Sequence, residues 1–229
     1  MAWRNGWALV AALLVTTAAS TVALAGDAGQ FTFTVLKDGD PVGHHRFAFE
    51  RDGDRIGIRE ATDIDVHLAM IPVYSFEHEG RQVWENDRVL RIDATTNNNG
   101  QELDITVRPD GRGGYVRTVN GRVDKFDGSK HVLAFWNKDI IGHENFFSVV
   151  EDKILKVSFQ FIGREEITVA GKQLEVEHYR MVGDEERDLW FDKAGRIAKV
   201  AFRRRGSEIA YVRDQLAPLP PESGCAPPC

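Results

Sequence analysis

Between residues 31 and 212 apolar and polar side chains alternate with a period of two, broken by turn-forming clusters roughly every eight to twelve residues. Successive side chains of a strand point to opposite faces, so the pattern admits many short antiparallel strands. It excludes a parallel sheet fed by crossover helices. Residues 31–35 alternate and 37–41 turn; 45–49 follow, ended by 51–54. In residues 58–68, Ile58, Thr62, Ile64, Val66 and Leu68 share one face, and Pro72 sets off the strand 74–78. Residues 83–84, 89–94, 103–107 and 115–119 continue, with Glu79-Gly80, 97–100 and 109–111 read as turns. Later, Leu155, Val157, Phe159 and Phe161 share a face before Gly163, and strands follow at 167–169, 174–182, 189–191, 197–202 and 209–212. The reading is about a dozen strands in one meander.

Only residues 129–150 break the period. Val132, Phe135, Trp136 and Ile140 have helical spacing, Ser129 could cap the start, and Gly142 interrupts, so a short helix or an aromatic crossover is expected there. The fold class is therefore all-β: a single antiparallel meander curled into an open or half barrel, since a long sheet must manage its edges. A dozen strands enclose more space than side chains of the wall alone fill, which implies a ligand cavity or a plug. The aromatic crossover is the candidate plug.

The ends differ in character from the meander. Arg4 precedes an uncharged stretch from Trp7 to Leu24, and Ala23-Leu24-Ala25 offers a small-x-small cleavage site. Residues 1–25 read as a signal peptide, 26–215 as the β-barrel-like domain, and 216–229 as a disordered tail rich in proline. A periplasmic or secreted location follows. In an oxidising compartment Cys225 and Cys229 are expected to form a disulfide, with each other or with another chain. No segment of the mature chain reaches the roughly 20 apolar residues that span a bilayer as a helix. A formal net charge of −6 gives no basic excess for nucleic acid.

The stretch Tyr74-x-Phe76-x-His78, Trp84-Glu85 and the run Ala94-Thr-Thr-Asn-Asn-Asn-Gly100 resembles a bacterial family of exported, β-rich domains of unknown function. So do Gly163-Arg-Glu-Glu-Ile167, Val169-Ala-Gly171, His178-Tyr-Arg180 and Leu189-Trp-Phe-Asp192 with Gly195, and the likeness covers about residues 30 to 214. It brings no catalytic residues. Leu189-Trp-Phe-Asp192-x-x-Gly195 also looks like the strand-turn-strand of periplasmic lipoprotein carriers, whose curved sheets shelter acyl chains.

Strand parity supplies the candidate site. His45 shares a face with Phe47 and Phe49, His78 with Tyr74 and Phe76, and His178 with Leu174, Val176, Arg180 and Val182. Histidines on apolar faces are usually satisfied core residues; the functional reading is that they orient a ligand in a greasy cavity. The candidate ligand-binding set is His45, Tyr74, Phe76, His78, Trp84, Trp136, His178 and Arg180. The expected partner is an apolar small molecule or lipid, with no nucleic acid and no cofactor. A metal site from His45, His78 and His178 would need three separate strands to converge, and His143-Glu144 lacks the second histidine of a zinc-protease helix. No nucleophile elbow is present. Two other classes stay open: a cavity-based hydrolase or isomerase using His78 and Glu85, and an envelope scaffold whose proline-rich tail binds a partner. The basic run Arg203-Arg204-Arg205 reads as a solvated hairpin end or a contact with anionic lipid or a partner.

Overall fold

The computed structural model describes residues 28–216 except 87, so the leader and the cysteine pair expected from the sequence lie outside the described residues. The first part is a meander of β1 (Ala28–Lys37), β2 (Asp40–Asp52), β3 (Arg55–Leu68), β4 (Ile71–Glu85), β5 (Arg88–Asn98), β6 (Gln101–Pro109), β7 (Tyr115–Val119) and β8 (Arg122–Phe126). A crossover then carries β9 (His131–Val132), a single 3₁₀ turn (Lys138–Gly142) and β10 (Asn145–Phe147). The second part is β11 (Ile154–Val169), β12 (Lys172–Gly183), β13 (Arg187–Asp192), β14 (Ile197–Arg204) and β15 (Ser207–Arg213).

These strands form one sheet in the order β8 to β1, then β15 to β9, joined where β1 pairs with β15. Every rung is antiparallel except the short β9–β10 pair. The ladder does not close, because β8 and β9 are its two ends. It does curl: Phe126 of β8 stacks on Phe147 of β10 at 5.1 Å, so the two ends meet through side chains. One large apolar cluster accordingly contains Phe31, Ile58 and Ile105 from the first part, Phe146 from the crossover, and Leu189 and Phe191 from the second. A smaller cluster of Val169, Val176, Trp190, Ala198, Ala201 and Ala210 occupies the opposite face of β11–β15.

Two sequence expectations fail at glycines. Glu79-Gly80 is not a turn but the middle of β4, and Gly163 lies inside the 16-residue β11, next to a register shift after Phe161. The 129–150 segment contains no α-helix: Asn137, rather than Ser129, caps the 3₁₀ turn by accepting the Asp139 N–H. The segment does fill the interior as a plug, burying Val132, Ala134, Ile140, Phe146, Phe147 and Val149. It is fastened by the fully buried Arg117, which donates to Asp152 at 3.1 Å and to the Glu151 carbonyl at 3.0 Å.

Candidate functional site

Strands β3 and β4 place four polar residues on the face where parity calls for apolar ones: Glu60, Thr62, His78 and Gln82, all buried. They form a continuous chain of hydrogen bonds. The Trp84 indole donates to Gln82 Oε1 at 2.8 Å, and the Gln82 amide donates to Glu60 Oε2 at 2.9 Å. Glu60 Oε1 lies 2.6 Å from His78 Nε2, and His78 Nδ1 lies 2.8 Å from Thr96 Oγ1. The Thr96 hydroxyl donates its one proton to the Val150 carbonyl at 3.0 Å. It must therefore accept from Nδ1–H, which leaves a single proton to hold the 2.6 Å contact between Nε2 and Glu60. Burial alone would raise the Glu60 carboxyl. The hydrogen bond and charge of His78, with the Gln82 amide, outweigh it and hold the group below the usual carboxylate range.

Above this network lies a cavity of about 680 Å³, within the range of small-molecule sites. Glu60, Thr62 and Gln82 are polar residues of its wall, and Phe33, Phe47, Phe76, Phe135 and Tyr211 are among its aromatic ones. His45 also lines it, with Nδ1 bonded to Thr62 Oγ1 at 2.7 Å. Burial pushes the His45 imidazole down to about 4, so at neutral pH it faces the cavity uncharged. Arg187 adds a cation to the wall, held between the Phe135 and Phe202 rings at 5.4 and 4.3 Å and paired with Glu185 at 2.7 Å. The plug closes the other side: Trp136 lines the cavity and packs edge-on against Trp84 at 5.4 Å and Phe49 at 5.9 Å. Its indole N–H is buried without a partner among the described residues.

Of the sequence candidates, His45, Tyr74, Phe76 and Trp136 line this cavity. His78 and Trp84 sit behind it and reach it only through Glu60, Gln82 and Trp136. His178 and Arg180 do not join them. His178 stacks on Trp190 at 4.4 Å in the small outer cluster, and His178 and Arg180 each bond to Asp188 at 2.9 Å. The β12 face that turns inward carries Tyr179 and Met181 instead. The pairing of His78 with Glu85 also fails: Glu85 has odd parity and bonds to Arg55 at 2.7 Å at the far end of β4. The carboxylate partner of His78 is Glu60. Parity places Glu60, Thr62 and Gln82 on otherwise apolar faces, which is the sequence signal for this network. The Asp192 of the Leu189–Asp192 motif is structural: it accepts from the Ala194 and Arg196 amides and pairs with buried Arg213 at 3.1 Å.

Among the described residues no three histidine, cysteine, aspartate or glutamate side chains stand together as a metal site. No helix among them is long and apolar enough to cross a membrane.

The sequence matches the family described as "Domain of unknown function (DUF6134)" over residues 33–214. No curated protein matches. A solved structure with a similar fold is a β-barrel-like protein of the domain of unknown function DUF1849 from Brucella abortus, with a TM-score of 0.60 and 8% identity. The superposition covers 82% of this chain and 95% of that one. At that identity the likeness is one of fold.

Proposed function

Because this chain belongs to the DUF6134 family, whose function is unknown, we propose its role from the cavity itself: it binds or carries a hydrophobic small molecule or lipid. The single observation behind this reading is a space of about 680 Å³ that the plug leaves open, walled by phenylalanines and by an imidazole that is neutral at pH 7. Each Å² of apolar ligand surface buried there would contribute about 25 cal/mol. Glu60, His45 and Arg187 are the polar groups available to fix orientation. In line with the signal peptide expected over residues 1–25, the protein would act after export, in the periplasm or outside the cell.

A second reading, a cavity-based acid/base enzyme, draws support from the buried Glu60–His78 pair, with Glu60 in the place the sequence reading gave to Glu85. Titration with a fluorescent long-chain probe, followed by displacement with unlabelled fatty acids and other apolar compounds, tests the binding reading. Saturable enhancement reversed by a competitor supports it; no enhancement with any probe counts against it.

A further inference from the structure

We propose that the tip of the β3–β4 hairpin docks this protein onto the surface of an anionic phospholipid bilayer, with the cavity mouth facing the membrane. The last rung between β2 and β3 is Gly43–Ile64, and the last between β4 and β5 is Phe76–Asn98. The β3–β4 ladder runs on to Leu68–Ile71. β2 itself continues to Asp40 paired with β1 alone, and the Asn99 amide still donates to the Ser75 carbonyl at 2.9 Å. Residues 65–74 therefore run on beyond their pairing with β2 and β5 as a two-stranded finger, by about 13 Å at the rise of an extended chain.

The finger ends in apolar side chains. Leu68, Met70, Ile71 and Val73 are 72%, 93%, 66% and 51% exposed, so half of the eight large exposed hydrophobic residues among the described residues lie within six positions. The turn itself departs from the pattern of this protein. Five other two-residue hairpin turns are Asp38-Gly39, Asn99-Gly100, Asn120-Gly121, Ala170-Gly171 and Arg205-Gly206, each with glycine at positive φ in second place; the β2–β3 turn has Gly53 in first place, and the β4–β5 turn begins at Asn86, at φ 47°. Here the turn is Ala69-Met70, with Ala69 at φ 56°. Glycine would serve the backbone better at Ala69, and Met70, which has no positive φ, is asked for by nothing in the turn, so local folding does not account for a methionine there.

Charge selects the partner. The end of the β14–β15 hairpin carries Arg203 and Arg204 on β14 and Arg205 in the turn, and Arg204, Arg205 and Lys37 line the same cavity as Val66, Val73 and Tyr74. Arg203 and Arg205 have no ion pair among the described residues, while Arg204 meets Glu151 at 3.6 Å. Of the acidic groups at this rim, Asp38 is occupied by Lys37 at 3.0 Å and by the Glu208 amide at 2.8 Å. Asp40 on the same tip, Asp65 and Glu208 remain, all exposed, against the exposed Arg203, Arg204 and Arg205. A narrow apolar finger is small for a protein interface of roughly 800 Å² a side. It suits burial about 5–10 Å deep at the headgroup boundary, with arginines level with the phosphates. The docking does not depend on what the cavity holds.

Hydrogen exchange of the full chain with and without vesicles of phosphatidylethanolamine and phosphatidylglycerol reads the contact locally, whatever the leader does. Exchange over residues 65–75 and 203–208 should slow by roughly tenfold on adding vesicles. Leu68→Asp with Met70→Asp should abolish that protection while far-UV circular dichroism and probe binding to the cavity stay unchanged. Unaltered exchange of the finger on vesicles overturns the proposal, as does protection that rises with protein concentration alone and so marks a second copy.

Discussion

Gly80 stands across the β3–β4 ladder from Glu60, so close that a Cβ on the glycine would lie 2.8 Å from Glu60 Cγ. The missing side chain is the space in which the buried carboxylate lies. Gly80→Ala should push Glu60 off its contacts and cost about 1–3 kcal/mol, as other overpacked cores do. In a Glu60→Ala background the same change should cost markedly less. Urea denaturation of the four proteins measures the coupling; equal costs in both backgrounds would show that Gly80 does not serve Glu60.

The Glu60–His78 pair, with side chains 7% and 1% exposed, makes a second prediction. His78→Phe strands a buried carboxylate and should cost about 3–5 kcal/mol, whereas replacing both residues by leucine should recover much of that loss. The substitution is thus a test of the fold, not of ligand contact, because His78 does not line the cavity. Chemical denaturation decides between recovery and simple addition of the two losses.

How far the site can be read from the sequence is clear from these residues. Alternation alone put His45, Tyr74 and Phe76 on the inner face, because parity is fixed by the pleat. The partner of His78 needed the register: Glu60 is 18 residues away, and only the β3–β4 ladder makes it a neighbour. Gly80 looked like a turn because glycine usually punctuates strands; its actual reason is the side chain opposite. His178 went astray because a histidine with apolar neighbours fits either face of a sheet, and here the small outer cluster took it.

Stability should fall on acidification in two stages. Folding lowers the His45 pKa from 6.5 to about 4, so between those values the unfolded chain binds more protons and stability is lost as pH drops. Discounted for the ring's exposure to the cavity, the loss is on the order of 2 kcal/mol. Glu60, held below its ordinary 4.5, stabilises fully above that value and loses the contribution as pH falls further, through its folded pKa. His45→Phe should flatten the first stage and leave the second. Urea midpoints at pH 7, 5 and 3 test this, and an unchanged first stage would remove His45 as its source.

Arg117 ties the plug to β7 through Asp152 and the Glu151 carbonyl. Arg117→Met keeps the volume but deletes these bonds, and should cost about 2–4 kcal/mol with faster exchange of residues 145–152. Exchange confined to its wild-type rate would mean that the aromatic contacts of the plug suffice.

A carrier of apolar molecules must hold one in its cavity. Native mass spectrometry of the protein isolated without denaturant, beside a Val66→Trp variant whose cavity is filled near its opening, shows whether it does. An apolar adduct of defined mass on the wild type and its absence from the variant are the predicted result. A wild type that repeatedly carries no adduct and takes none up from added lipid, or a variant that retains the same adduct, would contradict it.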